Sequence, residues 1–221
     1  MISDELRTGL QDIVQGVGGK NSADRCSTLR SLLIQSFGAG RTSQKDFESK
    51  AVLKEEQGKF LRYYSQENGL WLSDLPNPNN YLTHGGESKV YLESGGLNAI
   101  KVNNGRYYAT WLEYFTSLVI HNLLFPSTVY SFLGFVDDPT VPAGENTLSA
   151  MVRQPFIEGH QASLSHIEEL LNFNEFYLVR RQDYFNEEFS ISLEDMHDEN
   201  VIENQGMLFF IDTVFYLMDK E

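Results

Sequence analysis

Apolar residues recur at helical spacing through the first third of the chain and give way to short apolar runs after residue 76. Leu6, Leu10, Ile13, Val14 and Val17 fall on one helical face. Ser3 precedes them as a cap, Asp4 and Glu5 fill the first turn, and Gly18-Gly19 ends the helix. A second helix is predicted over about 22–37, with Cys26, Leu29, Leu32, Leu33 and Phe37 on one face and Gly38-Ala39-Gly40 behind it. A third is predicted over about 43–68. It carries Phe60, Leu61 and Tyr64, stops at Gly69, and sets Glu55 one turn before Lys59. None of the three bears a reactive cluster, so residues 1–75 read as a helical extension for packing or docking.

Pro76-Asn77-Pro78-Asn79-Asn80 is the clearest linker. Strands are predicted over 89–92 and 98–102 across a Gly-rich turn, then a helix over 110–124 bounded by Pro126. Two further strands follow over 130–136 and 147–153, separated by a polar loop with Pro139, Pro142 and Gly144. Strand, strand, helix, strand, strand argues for an α+β fold with an antiparallel sheet. Residues 155–159 form a crossover. Ser165-His166-Ile167-Glu168 has the capping-box pattern and opens a short helix through Leu171. Residues 173–188 read as loops and strands, and the alternation of Phe189, Ile191 and Leu193 as a strand. No internal repeat is visible.

Residues 201–211 have the pattern of a β-hairpin: Val201-Ile202, a polar turn ending in Gly206, and the apolar return Met207 to Ile211. A hairpin brings its open ends together, so Asn200 and Asp212 should stand side by side. A carboxamide and a carboxylate on a rigid apolar base suit a Mg²⁺ that also binds substrate phosphates. Asp195, on the loop just before, could accept a proton from an incoming hydroxyl. The competing reading is a polar surface turn with ordinary acids.

Composition narrows the partners. The 221 residues suit one domain or a domain with a helical extension. A formal net charge of −14 argues against nucleic acid and anionic membrane as partners. The single cysteine, Cys26, excludes an internal disulfide and suits a reducing compartment. With no signal-peptide pattern and no apolar run near the ~20 residues of a membrane span, a cytoplasmic protein is expected. Zinc-ligand pairs, a Gly-x-Ser-x-Gly elbow and a Gly-x-x-x-x-Gly-Lys phosphate loop are all missing. His121, His160 and His166 show no metal-site spacing and read as ordinary surface or hydrogen-bonded histidines.

Several segments together resemble a protein-kinase-like fold over about 83–212. The nearest likeness is to the kinase-like domain of bacterial polyvalent proteins of mobile elements, more distantly to aminoglycoside and choline kinases. His84-Gly85-Gly86-Glu87-Ser88-Lys89-Val90 resembles a degenerate glycine-rich loop, although Gly85-Gly86 alone also fits a plain turn. Ala99-Ile100-Lys101-Val102 resembles the strand-lysine motif; alternation also permits Lys101 on a solvent face. The resemblance pairs Lys101 with Glu113, which could otherwise be an exposed helix glutamate. It makes Gln154 the gatekeeper, with the Pro155 carbonyl and the Ile157 N–H facing adenine. Asp195-Met196-His197-Asp198-Glu199-Asn200 matches the catalytic loop, and Asp212 matches the magnesium aspartate. Leu193-Glu194 stands where protein kinases have His-Arg, and Thr213-Val214 replaces Phe-Gly.

The resemblance implies an antiparallel-sheet N-lobe (76–154) and a C-lobe (155–221), the latter abbreviated because only nine residues follow Asp212. It also implies ATP and Mg²⁺ as cofactors. Gly85, Gly86, Ser88, Lys89, Lys101, Pro155 and Ile157 would surround the nucleotide, Asn200 and Asp212 would hold the metal, and Asp195, Lys101 and Glu113 would be catalytic. The acceptor would be a protein or small-molecule hydroxyl, the latter suggested by His197. The alternative is a catalytically inactive pseudokinase or a nucleotide-binding or protein-interaction module, suggested by the short C-terminus and the lost His-Arg.

Overall fold

The computed structural model describes residues 2–17, 24–38, 47–141 and 146–218. Gly18-Gly19, Ser22, Ala39-Gly40, Ser43, Pro142 and Gly144, assigned above to helix ends and a loop, lie outside them. The Ser3 side chain accepts the Leu6 N–H and starts α1 (Asp4–Val14). Asp24 caps α2 (Arg25–Phe37) through the Cys26 and Ser27 N–H groups, and α3 covers Phe47–Glu67. Arg30 on α2 is buried. Its guanidinium donates to the Ile13 and Val17 carbonyls and to the Thr116 hydroxyl, so a cation from one helix closes the C-terminus of another. Burial pushes Arg30 down to about 10, still charged at neutral pH.

An antiparallel five-stranded sheet follows, in the order β1-β2-β3-β5-β4. Its strands are β1 (Tyr81–His84), β2 (Ser88–Leu92), β3 (Asn98–Asn103), β4 (Ser131–Asp137) and β5 (Leu148–Pro155), with α4 (Trp111–Leu124) inserted between β3 and β4. The strand-strand-helix-strand-strand order read from sequence is present. β1 was not foreseen because every residue in it is exposed, which erases alternation. At Gly134 a side chain would strike the Leu70 carbonyl, where residues 70–72 lie alongside β4 in a parallel bridge between Trp71 and Phe135.

Beyond β5 come β6 (His160–Gln161), α5 (Leu164–Phe173), β7 (Tyr177–Arg180), β8 (Asp183–Asn186) and β9 (Ile191–Glu194). The last elements are β10 (Val201–Asn204), β11 (Met207–Phe210) and β12 (Val214–Leu217). The cap of α5 is Ser163, whose side chain accepts the His166 N–H, and not Ser165 two residues later. Two small antiparallel sheets result, β11-β10-β6 and β12-β9-β8-β7. Gly159 lets the crossover lie on β10, since a Cβ there would meet the Glu203 carbonyl at 2.5 Å.

α4 is apolar around most of its circumference, as a helix enclosed on several sides must be. Trp111 and Phe115 share a core with Leu29 and Leu33 of α2, Leu61 of α3, and Ala150 and Val152 of β5. Ile120 joins a second core with Leu10 and Ile13 of α1, Leu171, Leu193, Met196, Val201, Phe210 and Phe215. Both cores therefore meet at α4, and the second one underlies the Asp195 loop. Among the described residues no helix is long and apolar enough to cross a membrane.

Candidate active site

The hairpin forms in the register its apolar pattern requires, with Val201 opposite Phe210 and Asn204 opposite Met207. One step beyond its open end, the Asn200 carbonyl accepts the Ile211 N–H at 3.0 Å and the Asp212 N–H at 3.4 Å. Asn200 and Asp212 are therefore neighbours. The Asn200 amide donates to the Asp195 carbonyl at 2.8 Å and to His197 Nε2 at 3.1 Å. Accepting there requires that Nε2 be unprotonated, which assigns the proton of a neutral ring to Nδ1.

Asp195 has a left-handed backbone, φ 62°, uncommon for residues other than glycine although asparagine and aspartate adopt it more readily than most. The turn is held by the Asp195 N–H donating to Asp183 at 3.2 Å and by the bonds on the Asp195 carbonyl from Asn200 and the His197 N–H. Its carboxylate is 70% exposed, 3.7 Å from His197 Nε2, which is too long for a hydrogen bond. Glu194 beside it is raised above the ordinary carboxylate range by burial, with Asp183 and Asp195 adding to the shift.

Lys101 arrives from β3 and is buried. Its Nζ reaches the Ile211 carbonyl at 2.6 Å, the Tyr130 hydroxyl at 3.2 Å and Asp212 Oδ1 at 3.2 Å. Burial alone would push Lys101 down, but the Asp212 charge and Tyr130 outweigh it and hold the ammonium above its ordinary range. Tyr130 is itself pushed up to about 12 by burial, against the pull of Lys101, so it remains a neutral donor. Lys101, Asn200, Asp212 and Asp195 thus form one connected cluster.

Two expected site residues lie elsewhere. Glu113 does not pair with Lys101. It occupies the first turn of α4, where its carboxylate accepts the Ala109 N–H at 2.9 Å and meets Lys50 Nζ of α3 at 3.3 Å, while its own N–H donates to Thr110. Thr110 and Glu113 act as a capping pair, and the Lys101 carboxylate comes from Asp212 instead. Lys89 is adjacent to Val90, which is opposite Lys101, so alternation turns its side chain to the other sheet face. There it binds Asp138 and Thr140.

The remaining nucleotide candidates are placed as follows. Gly85 and Gly86 form the β1–β2 turn, closed by the Gly85 N–H on the Ser88 carbonyl at 2.9 Å. Gly85 borders open space, and a side chain at Gly86 would have to displace the ring end of the exposed Tyr107. Ser88 is buried and accepts from the Asn103 amide at 2.8 Å. Pro155 ends β5 opposite Asn98, and Ile157 lies in the crossover. Gln154 is buried and donates to the Thr128 carbonyl at 2.8 Å.

Glu87 was missed because a carboxylate in a glycine-rich turn resembles any surface acid. It fastens this turn by accepting from the Asn103 amide at 2.9 Å and the Tyr107 N–H at 3.1 Å. Burial raises it above the usual carboxylate range, and the Asp212 charge adds to that. His121 was read only as an ordinary histidine. It is fully buried in α4 between the Thr128 carbonyl at 2.8 Å and the Thr213 hydroxyl at 2.7 Å, and burial pushes it down to about 3.

The donor set fits a hard divalent cation. An amide oxygen and a half-exposed carboxylate are oxygen ligands of the kind Mg²⁺ takes, with phosphates and water completing the shell. No cluster of three or more His, Cys, Asp or Glu that could cage a metal occurs among the described residues. No curated protein and no solved structure matches the chain significantly. Residues 54–219 match the family model of the serine/threonine/tyrosine kinase found in polyvalent proteins. That span covers most of α3 and every element from β1 to β12, including Lys101, Asp195, Asn200 and Asp212. The chain belongs to the kinase-like domains of polyvalent proteins.

Proposed function

We propose that this chain is an ATP- and Mg²⁺-dependent phosphotransferase acting on a protein or small-molecule hydroxyl. Residues 76–154 and 155–221 serve as its two lobes, and the helices of 1–75 pack against both. Lys101 orients the α- and β-phosphates. Asn200 and Asp212 hold the metal, which supplies charge neutralisation at the phosphates. The Gly85-Gly86 turn covers the nucleotide, whose adenine edge meets Pro155 and Ile157. Asp195, exposed on its strained turn, aligns the acceptor hydroxyl and takes its proton. The work of the protein is placement and electrostatics rather than covalent chemistry.

The observation that carries this reading is the 3.2 Å approach of Lys101 to Asp212, with Asn200 joined to the same strand end and to the Asp195 loop. Calorimetry and ADP release test it. Asp195→Ala is expected to keep Mg-ATP affinity and lose turnover, and Asp212→Ala to lose the Mg²⁺-dependent part of binding. Wild-type protein that binds no Mg-ATP at millimolar concentration would refute it.

A second reading, a non-catalytic nucleotide-binding or interaction module, is favoured by one observation. The α4 carboxylate Glu113 is committed to the helix cap and Lys50, so it does not hold Lys101 ready for phosphates. Mg-ATP binding without any ADP release would select it.

A further inference from the structure

The strand end that carries Asp212 is fastened on both sides of that residue by buried side chains outside the catalytic loop. Just before it, the Ile211 carbonyl accepts from Tyr130 at 2.9 Å and from Lys101 at 2.6 Å. Just after it, the Thr213 hydroxyl meets His121 Nδ1 at 2.7 Å. Two residues on, the Phe215 N–H donates to the Ser117 hydroxyl at 2.9 Å, and that hydroxyl also receives the Tyr108 O–H at 3.2 Å. His121 and Ser117 lie one helical turn apart on α4 and reach neighbouring points of one segment, Thr213 just before β12 and Phe215 within it.

The hydrogen-bond directions are determined by chemistry. The Thr128 carbonyl can only accept, so His121 Nε2 carries the proton and Nδ1 receives the Thr213 O–H. The same carbonyl also accepts from Gln154, which ties the chain Thr213–His121–Thr128 to β5. His121, Ser117 and Thr213 are all buried, so water cannot substitute for a lost partner. Phe215 is buried in the core beneath the Asp195 loop, and β12 pairs with β9, the strand that leads into that loop.

We propose that His121 and Ser117 are positioning residues: through Thr213 and Phe215 they fix the backbone that presents Asp212 to the metal. This rests on the phosphotransferase reading, in which Asp212 holds Mg²⁺. The sequence Asp212-Thr213-Val214 then has a physical reason, because a hydroxyl immediately after the metal aspartate is the group α4 grips. The arrangement uses neutral partners in a dry site, so the metal loop is held without a charge on α4.

The test compares Thr213→Val, which keeps shape and removes the hydroxyl, with Thr213→Ser, which restores it, and with Ser117→Ala as an independent cut of the second tie. Calorimetry measures affinity for Mg-ATP and for ATP in EDTA, with thermal melting as a control on folding. Removing a partner that orients a metal ligand costs roughly tenfold or more in metal-dependent affinity. Thr213→Val and Ser117→Ala should therefore each weaken Mg-ATP binding about tenfold while ATP in EDTA changes less than about twofold, and Thr213→Ser should stay within about twofold of wild type. Unchanged Mg-ATP affinity in folded Thr213→Val and Ser117→Ala overturns the proposal. So does equal weakening with and without metal, or failure of Thr213→Ser to rescue, since either means a purely structural contact. Wild type that binds no Mg-ATP sinks the phosphotransferase reading itself, a result distinct from a variant that merely matches wild type.

Discussion

Leu10→Ala isolates what α1 does for the site. α1 precedes the matched span of 54–219, yet Leu10 is fully buried in the core that also contains Met196 and Val201. Those two residues directly follow Asp195 and Asn200 in sequence. The substitution removes three carbons, worth about 2.4 kcal/mol at ~0.8 kcal/mol per methylene. The core that Leu10 belongs to draws Ile13, Ile120, Leu171 and Phe215 from four different elements, which cannot all collapse inward, so a cavity term of about 1 kcal/mol adds to it. The expected loss is about 3–4 kcal/mol, or roughly 10 °C in Tm for a chain of this size. Urea denaturation and melting measure it. Arg7→Ala serves as a control, because the ion pairs of Arg7 with Glu175 and Glu188 are partly exposed and worth about 1 kcal/mol at most. A Leu10→Ala loss below about 1 kcal/mol would mean that α1 docks loosely and that the core under the Asp195 loop closes without it.

Further outcomes follow from the same geometry. Glu113→Gln should lower kcat/KM less than about threefold and stability by about 1 kcal/mol, because it weakens a cap and a partly exposed pair. An effect as large as that of Lys101→Met would restore the Lys101–Glu113 pair to the mechanism. His121 is held down to about 3 from an ordinary 6.5, so the unfolded chain binds its proton first as pH falls. Its contribution is complete above about pH 6.5 and lost progressively below that, about 2 kcal/mol by pH 5. Stability curves at pH 7 and pH 5 should therefore differ more for wild type than for His121→Gln, and equal differences would refute a buried neutral imidazole. Gly134→Ala should cost about 1–3 kcal/mol by crowding the Leu70 carbonyl, and a melting temperature unchanged from wild type would show that residues 70–72 can move aside.

Local pattern was sufficient wherever one segment satisfies its own backbone or buries one face. The 201–211 hairpin is such a case: its apolar arms and Gly206 specify the register, and the register alone makes Asn200 a neighbour of Asp212. The helices over 4–14 and 25–37 and the strands on either side of α4 were legible for the same reason, since period and caps are properties of consecutive residues. β1 was hidden because neither of its faces is buried. The α5 cap was displaced by two residues because Ser163 and Ser165 are both chemically able to cap.

Only the tertiary structure decided which charges meet. A sequence shows that Lys101 needs a carboxylate but not whether Glu113, Glu87 or Asp212 will reach it. That depends on how α4 rotates against β3 and how α3 brings Lys50 to Glu113 first. Lys89 fell on the wrong face through a one-residue step in alternation, which the motif likeness did not weigh. The ties from His121 to Thr213 and from Ser117 to Phe215 span 92 and 98 residues, and nothing within either segment announces the other. Periodicity is set by neighbours along the chain, whereas the partner of a buried polar group is set by whichever distant segment packing delivers to it.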